Sequence, residues 1–173
     1  MRHVISVLLQ NEVGALTRMT GLFSSRGYNI ESLNVAPTDD PLVSRVTLVI
    51  SGSDAAIAQL NTQLAKLVDV VNIHDMTIGD HFERELAIVK LKLRAGGFDK
   101  VQSLANEFGA EILDDSPQSC TVQLTGKWVE IDRFIDSISA AGDLAAVARS
   151  GSVAVSKGEI TLSSYTQHHR LTG

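Results

Sequence analysis

The sequence predicts an α+β fold built from two tandem βαββαβ units, and three observations lead to this prediction. Apolar runs of strand length alternate with amphipathic runs of helical length. The order strand, helix, strand, strand, helix, strand in the first half begins again in the second half. Two local sequences recur at matching places: Gly27-Tyr-Asn-Ile30 corresponds to Gly109-Ala-Glu-Ile112, and Ser51-Gly52 corresponds to Thr125-Gly126. Each unit therefore has the split βαβ order of ferredoxin-like folds.

The first predicted unit covers residues 1–77. Its first strand is apolar at nearly every position, which is typical of a strand buried on both faces. The helix after it carries apolar side chains on one face and is followed by Gly27, a residue suited to a left-handed C-cap. Ser53 or Asp54 can cap the second helix. The predicted elements are strand Val4–Leu9, helix Leu16–Phe23, strand Ile30–Ala36, a returning strand over residues 44–50, a helix from residue 53 and strand Val68–Ile73.

A predicted linker over residues 78–83 leads to the second unit, residues 84–156, and then to a polar tail, residues 157–173. Gly109 follows the first helix of this unit and Gly126 precedes the second. The predicted elements are strand Leu86–Leu93, a helix ending at Phe108, strands Glu111–Asp114 and Cys120–Leu124, a helix after Gly126 and strand Leu144–Arg149.

Composition narrows the classes of function. The chain has 173 residues, 44% of them hydrophobic, and a net charge of −5. This charge argues against nucleic acid or an anionic membrane as a partner, and no apolar run has membrane-spanning length. Cys120 is the single cysteine, which fits a reducing, cytoplasmic setting and a packed side chain better than a nucleophile.

The stretch from Asn11 to Arg18, reading NEVGALTR, joins the first strand to the first helix. The first turn of a helix has main-chain N–H groups without helical partners, and the peptide dipoles make it positive, so a carboxylate binds there favourably. Gly14 lets a ligand approach the backbone, and Asn11 adds an amide. The turn therefore suits the carboxylate of a small amino acid. Most strand–glycine–helix turns bind no ligand, however, and both interpretations stay open at this point.

Other chemistry is not supported by the motifs. No serine, histidine and aspartate or cysteine and histidine set can be assembled, and neither a P-loop nor a zinc spacing occurs. The corresponding turn of the second unit, Arg94-Ala-Gly-Gly-Phe98, has two glycines that could cradle an anion, but a loose turn is the favoured interpretation. The ligand is therefore placed in the first unit only. The competing classes are a regulatory subunit, a free-standing amino-acid sensor or transcriptional regulator without a visible DNA-binding element, and a small enzyme.

A family resemblance separates these classes. The phrases NEVGALTR and RGYNIESL followed by APTDDP, together with KLVDV at 66–70, ERELAIVKL at 83–91 and ARSG at 148–151, closely resemble the acetolactate (acetohydroxyacid) synthase small subunit. The resemblance covers nearly the whole chain, to about Lys157. It implies that the first unit is an ACT domain, a regulatory module that binds an amino acid.

The resemblance also implies a valine site at the joint between two copies of the first unit, in a homodimer. The main-chain amides near Gly14 would take the carboxylate, the two asparagine oxygens would accept from the ammonium, and Leu16 and Ile30 would line the isopropyl group. The implied site residues are Asn11, Gly14, Ala15 and Leu16 of one protomer and Asn29 and Ile30 of its neighbour. From the residues alone, Asn29 could equally be a turn residue beside Gly27.

The resemblance implies that the catalytic activity resides in a partner protein, the large subunit. A small subunit of this family has no catalytic site. It raises the activity of a large subunit that carries thiamine diphosphate, FAD and magnesium, and valine restrains that activity by feedback. The reaction, a transferase reaction, condenses two pyruvates or pyruvate with 2-oxobutyrate at the start of valine, leucine and isoleucine synthesis. The second unit is then the candidate surface for contacting or modulating the large subunit.

Overall fold

The computed structural model of the chain describes residues 1–159 and 161–162. These residues form two βαββαβ units, each with an antiparallel sheet and two helices whose apolar side chains share a core with that sheet. The predicted α+β fold class with two tandem units is confirmed. The predicted polar tail, residues 157–173, lies largely outside the described residues, since residues 160 and 163–173 belong to it.

The first unit contains a four-stranded sheet in the order β2-β3-β1-β4. Strands β2 and β4 lie at its two edges within the described part of the chain. The apolar faces of both helices pack on the sheet through Met19 and Phe23 of the first helix and Ile57 and Leu60 of the second. The elements are β1 (Arg2–Gln10), α1 (Ala15–Ser25), β2 (Ile30–Pro37), β3 (Val43–Ser51), α2 (Asp54–Leu64) and β4 (Val70–Asp75).

Strand β1 is buried on both faces, as its apolar sequence predicts. On the helix face, Ile5 and Val7 belong to the core of the unit. On the other face, Val4 belongs to a small buried cluster, and the Ser6 hydroxyl accepts a hydrogen bond from Arg45 at 3.0 Å. A strand that is covered on both sides has no need of alternating polar residues.

The second unit contains strands in the order β6-β7-β5-β8. Strand β5 begins at His81, inside the predicted linker 78–83, because its alternation of exposed and buried side chains reaches further back than the apolar run from Leu86. The elements are β5 (His81–Leu93), α3 (Gly97–Phe108), β6 (Glu111–Ser116), β7 (Ser119–Gly126), α4 (Trp128–Ile138) and β8 (Gly142–Arg149).

A short ninth strand, β9 (Val153–Ser156), follows β8 and pairs with β5. The chain divides into two compact units: residues 1–82 together with the residues from 152 onward, and residues 83–151. Residues 152–156, which the sequence analysis placed in the second unit, therefore group with the first. The physical reason is packing, because Ala154 is buried in one cluster with Val4, Val49 and Met76.

Candidate functional site

The turn between β1 and α1, residues 11–14, is shaped by Gly14. This residue is the N-cap of α1 and has φ 87° and ψ −12°, the left-handed conformation that favours glycine. No side chain of the described residues caps the helix. The Ala15 amide donates to the Glu12 carbonyl at 3.2 Å, and the Arg18 amide donates to the Gly14 carbonyl at 2.9 Å. The glycine at this position is thus required by the backbone, whether or not a ligand binds.

The first turn of α1 is open to an anion. Within the described part of the chain, the main-chain amides of Leu16 and Thr17 have no hydrogen-bond partner. The first turn also contains no acidic side chain that would occupy the positive end of the helix. The sequence-predicted carboxylate position therefore has open donors and a favourable dipole.

Ala15 and Leu16 differ in what they can offer a ligand. The Ala15 side chain is buried, with 1% of its surface exposed, and packs in the core of the first unit. Only its main chain is available to a ligand. Leu16 is 37% exposed, so its side chain can line an apolar wall beside the turn.

Asn11 ties the turn to the loop between β2 and β3. Its main-chain amide donates to the Leu42 carbonyl at 2.8 Å, and its Nδ2 donates to the Pro41 carbonyl at 3.0 Å. The side-chain nitrogen Nδ2 therefore already has a hydrogen-bond acceptor within the chain. The side-chain oxygen is the end of Asn11 that can accept from a ligand ammonium.

Arg18 is the residue of this region that sequence reasoning missed. Its guanidinium forms two hydrogen bonds with the Asp69 carboxylate, Nε to Oδ2 at 2.6 Å and Nη2 to Oδ1 at 2.7 Å. The Asp69 side chain is 5% exposed and that of Arg18 is 49% exposed. These bonds hold the pKa of the Asp69 carboxyl below its ordinary value and raise the pKa of Arg18. Arg18 lies one helical turn after Gly14, which is the only sequence signal that could have suggested it.

The third guanidinium nitrogen of Arg18 lies over Gly14. A Cβ built on Gly14 would meet Arg18 Nη1 at 2.7 Å. The space that glycine leaves open is therefore bordered by a cationic group as well as by main-chain amides. An anion in this space would meet positive potential from both sources.

The glycines of the second unit have a different explanation. Gly96 is the N-cap of α3 with φ 71°, and Gly97 is the first residue of the helix. A Cβ on Gly97 would lie 2.3 Å from the Ala141 carbonyl oxygen, so close packing requires glycine here. This contact explains why the second unit has a glycine pair without any need for a ligand.

Asn29 and Ile30 lie at the other end of the sheet. Ile30 is level with Ile50 on β3 and with His3 on β1, whereas Asn11 follows the last residue of β1. About seven residues of strand, or about 23 Å, separate the two levels. One protomer therefore does not bring the six predicted site residues together. Asn29 is exposed, and Ile30 is partly buried against the core.

Other chemical centres are not evident among the described residues. No group of three or more histidine, cysteine, aspartate or glutamate side chains could hold a metal ion in that part of the chain. Cys120 is buried, and burial raises the pKa of its thiol, which disfavours the thiolate. Within residues 1–159 and 161–162, no helix is long and apolar enough to cross a membrane.

Two family models match the chain and together span most of it. One, described as an AHAS small subunit-like ACT domain, matches residues 5–95. The other, described as the small subunit of acetolactate synthase, matches residues 84–158.

Two relatives and one solved structure are similar to this chain over nearly their whole length. The acetolactate synthase isozyme 3 small subunit of Escherichia coli strain K12 is 46% identical over 92% of this chain and 98% of its own. The acetolactate synthase small subunit of Haemophilus influenzae is 44% identical over the same shares. The crystal structure of the acetolactate synthase small subunit from Thermotoga maritima matches with a TM-score of 0.83 at 28% identity, covering 92% of this chain and 99% of that one.

Proposed function

Because the chain belongs to the acetolactate synthase small-subunit family, we propose that it is the regulatory small subunit of an acetolactate synthase in branched-chain amino-acid synthesis. The observation that carries this proposal is the match of both halves to that family, at residues 5–95 and 84–158. The second-half match adds a region outside the ACT domain whose model is described as the small subunit of acetolactate synthase.

The proposed effector is valine, bound at the β1–α1 turn. The open amides of Leu16 and Thr17 support a carboxylate position, and the free oxygen of Asn11 supports an ammonium position. Leu16 supplies an exposed apolar side chain for the isopropyl group. One methylene in an apolar pocket is worth roughly 1–3 kcal/mol, so we expect leucine and isoleucine to bind more weakly than valine.

The proposed site needs two protomers. Asn29 and Ile30 lie about 23 Å from the turn within one chain, but they lie at the start of the edge strand β2. Antiparallel pairing of β2 with the β2 of a second copy would put the start of one strand beside the end of the other. Leu33 and Val35, which are 37% and 40% exposed on this edge strand, would then be covered.

Because the proposed site lies between two protomers, bound valine could change the arrangement of the protomers as well as the site itself. A ligand held between protomers changes their arrangement only if it binds one arrangement better than the other. A coupling of about 1–3 kcal/mol is usual for such regulation. The second unit, residues 83–151, is proposed as the surface that modulates the response of the large subunit.

The chemistry itself is proposed to occur on the large subunit, with thiamine diphosphate, magnesium and FAD bound there. The small subunit would activate that cytoplasmic transferase and confer inhibition by valine. In this chain, Arg18 beside the turn is held in an ion pair with Asp69.

Two measurements test the proposal. The full chain should co-purify with the thiamine-diphosphate-dependent large subunit of the same organism and raise its rate of acetolactate formation. Calorimetry on the small subunit alone should detect valine binding. A chain that binds valine but no large subunit would be a free-standing sensor, and one that binds neither would contradict the proposal.

A further inference from the structure

The turn between β2 and β3, residues 38–42, is closed by hydrogen bonds of its own main chain. The Thr38 amide donates to the Val43 carbonyl at 2.9 Å, and the Val43 amide donates to the Asp40 carbonyl at 3.0 Å. The turn includes the last part of the APTDDP phrase, residues 36–41, in which aspartate and proline are typical turn formers. The path of the chain through this turn is therefore fixed.

Thr38 and Asp40 add side-chain hydrogen bonds that determine the shape of the 38–42 turn. Thr38 Oγ1 accepts from the Asp40 amide at 3.1 Å and lies 3.0 Å from the carbonyl oxygens of Asp40 and Val43, to either of which it can donate. Asp40 Oδ1 accepts from the Leu42 amide at 2.9 Å. Both residues are partly buried. Side-chain oxygens that bind nearby main-chain groups hold a turn in one conformation.

The two carbonyl groups at the end of the 38–42 turn hold Asn11. The Pro41 carbonyl accepts from Asn11 Nδ2 at 3.0 Å, and the Leu42 carbonyl accepts from the Asn11 main-chain amide at 2.8 Å. A carbonyl oxygen only accepts hydrogen bonds, so the bond to Pro41 decides which end of the side-chain amide is the nitrogen. Asn11 Oδ1 lies at the other end of that amide, and no described residue donates to it.

We propose that Thr38 and Asp40 are positioning residues for valine, because the turn they form holds Asn11 with its oxygen available to the ligand ammonium. This inference rests on the proposed function, in which Asn11 Oδ1 accepts from that ammonium. Asn11 is exposed, and without the Pro41 carbonyl its amide could turn over and present N–H donors to the ammonium, which repel it. Holding the amide in the binding orientation before the ligand arrives lowers the cost of binding. The same orientation favours an amino acid over the matching 2-oxo acid, whose carbonyl oxygen has no proton to donate.

The competing explanation is that Asp40 acts on the ammonium by charge alone. Asp39 in the same turn and Glu12 next to Asn11 are further carboxylates, and both are exposed. Asparagine at position 40 separates the two explanations, because it removes the charge and keeps an oxygen that accepts from the Leu42 amide. Thr38 carries no charge and therefore tests the turn independently.

The test measures valine binding to the full chain by calorimetry in two matched pairs of variants. Thr38→Val and Asp40→Ala remove the side-chain hydrogen bonds of the turn. We expect each to raise the valine dissociation constant roughly three- to tenfold, which is about the effect of one hydrogen bond. Thr38→Ser and Asp40→Asn keep those hydrogen bonds and should stay within about twofold of the unaltered chain. Each pair is decisive alone if a variant of the other pair does not fold.

The side-chain amide signals of Asn11, in a nitrogen–proton correlation NMR spectrum without valine, give a readout that general destabilisation would not move. They should shift toward the values of a solvated amide in Thr38→Val and Asp40→Ala, and stay in place in Thr38→Ser and Asp40→Asn. Weakened binding with unchanged Asn11 signals would overturn the inference. Equal weakening by Asp40→Asn and Asp40→Ala, or unchanged binding by Thr38→Val, would do the same. Failure of the proposed function is distinguishable, because the unaltered chain would then bind no valine while the Asn11 signals still reported on the turn.

Discussion

Arg18 connects the proposed valine turn to the start of β4. Its Nε and Nη2 atoms bind the nearly buried Asp69 carboxylate, and its Nη1 atom lies over Gly14. The guanidinium is therefore oriented by one carboxylate while part of it borders the space where a second carboxylate is proposed to bind. Two substitutions separate these roles.

The first prediction concerns Gly14→Asp, which we expect to abolish inhibition by valine in an assay with the large subunit. The new carboxylate would lie beside Arg18 and at the positive end of α1, where the valine carboxylate is proposed to bind. Gly14→Ala is the control, because it adds the strain of a left-handed φ, about 1 kcal/mol, without the charge. Full valine sensitivity of Gly14→Asp would mean that the site is elsewhere.

The second prediction concerns Asp69→Asn and pH. Because the pKa of Asp69 is lowered in the folded state, its ionised form stabilises the fold above the ordinary carboxyl pKa of about 4. That stabilisation disappears as the pH falls through the lower, folded-state pKa. We expect Asp69→Asn to have a lower melting temperature at pH 7, and the difference to shrink below about pH 4. A difference that is constant from pH 7 to pH 2 would contradict this assignment.

At the scale of elements, the edge strand β2 provides the main structural argument for the proposed dimer. Its Leu33 and Val35 lie opposite the core residues Leu48 and Val46 of β3, yet both remain more than one-third exposed. An edge strand with such side chains and an unpaired row of main-chain groups is a template for a further strand. The edge strand β6 of the second unit is protected differently, by acidic side chains at Glu111, Asp114 and Asp115.

The third prediction is that Val35→Lys weakens the proposed dimer. A lysine on this edge would have to bury its ammonium against the second copy, which should raise the dimer dissociation constant at least about tenfold, or about 1.4 kcal/mol. Sedimentation equilibrium measures this change. Leu113→Lys is the control on β6, where the replaced side chain is 47% exposed, and it should leave the dissociation constant of the proposed dimer unchanged. A Val35→Lys protein with an unchanged dimer dissociation constant would exclude the β2 edge.

Sequence patterns were sufficient for local features and insufficient for those that depend on distant residues. The apolar sequence of β1 predicted burial on both faces, and Gly27 has the left-handed φ of 71° expected after α1. The Arg18–Asp69 pair joins residues 51 positions apart, and no local pattern links them. Likewise, the predicted strands ended at Arg149, and β9 was missed because its burial with Val4, Val49 and Met76 depends on residues far away in the sequence.

At the scale of the whole molecule, the chain leaves the first unit after residue 82 and returns to it at residue 152. The returning segment buries Ala154 with Val4, Val49 and Met76, and the Leu162 carbonyl accepts a hydrogen bond from Arg45 at 3.4 Å. The first unit is therefore discontinuous in sequence. Cutting the chain near residue 82 removes part of the first unit as well as the second.

The fourth prediction compares chains that stop after residue 151 and after residue 162. The shorter chain uncovers Val4, Val49 and Met76, which should lower its stability by about 2–4 kcal/mol because burying one such side chain contributes roughly 1.5–3 kcal/mol. Thermal unfolding followed by circular dichroism measures the difference. The longer chain should have the same melting temperature as the full-length protein. Equal melting of the two truncated chains would show that the returning segment adds no stability.

The discontinuity of the first unit also affects when the unit is completed during translation. Residues 1–82 leave the ribosome long before residue 152 has been translated. At about 5–20 residues per second, the intervening stretch of about 70 residues delays completion of this unit by roughly 4–14 s. During that interval the growing polypeptide carries an uncovered apolar patch at Val4, Val49 and Met76, a natural target for chaperones that bind nascent chains.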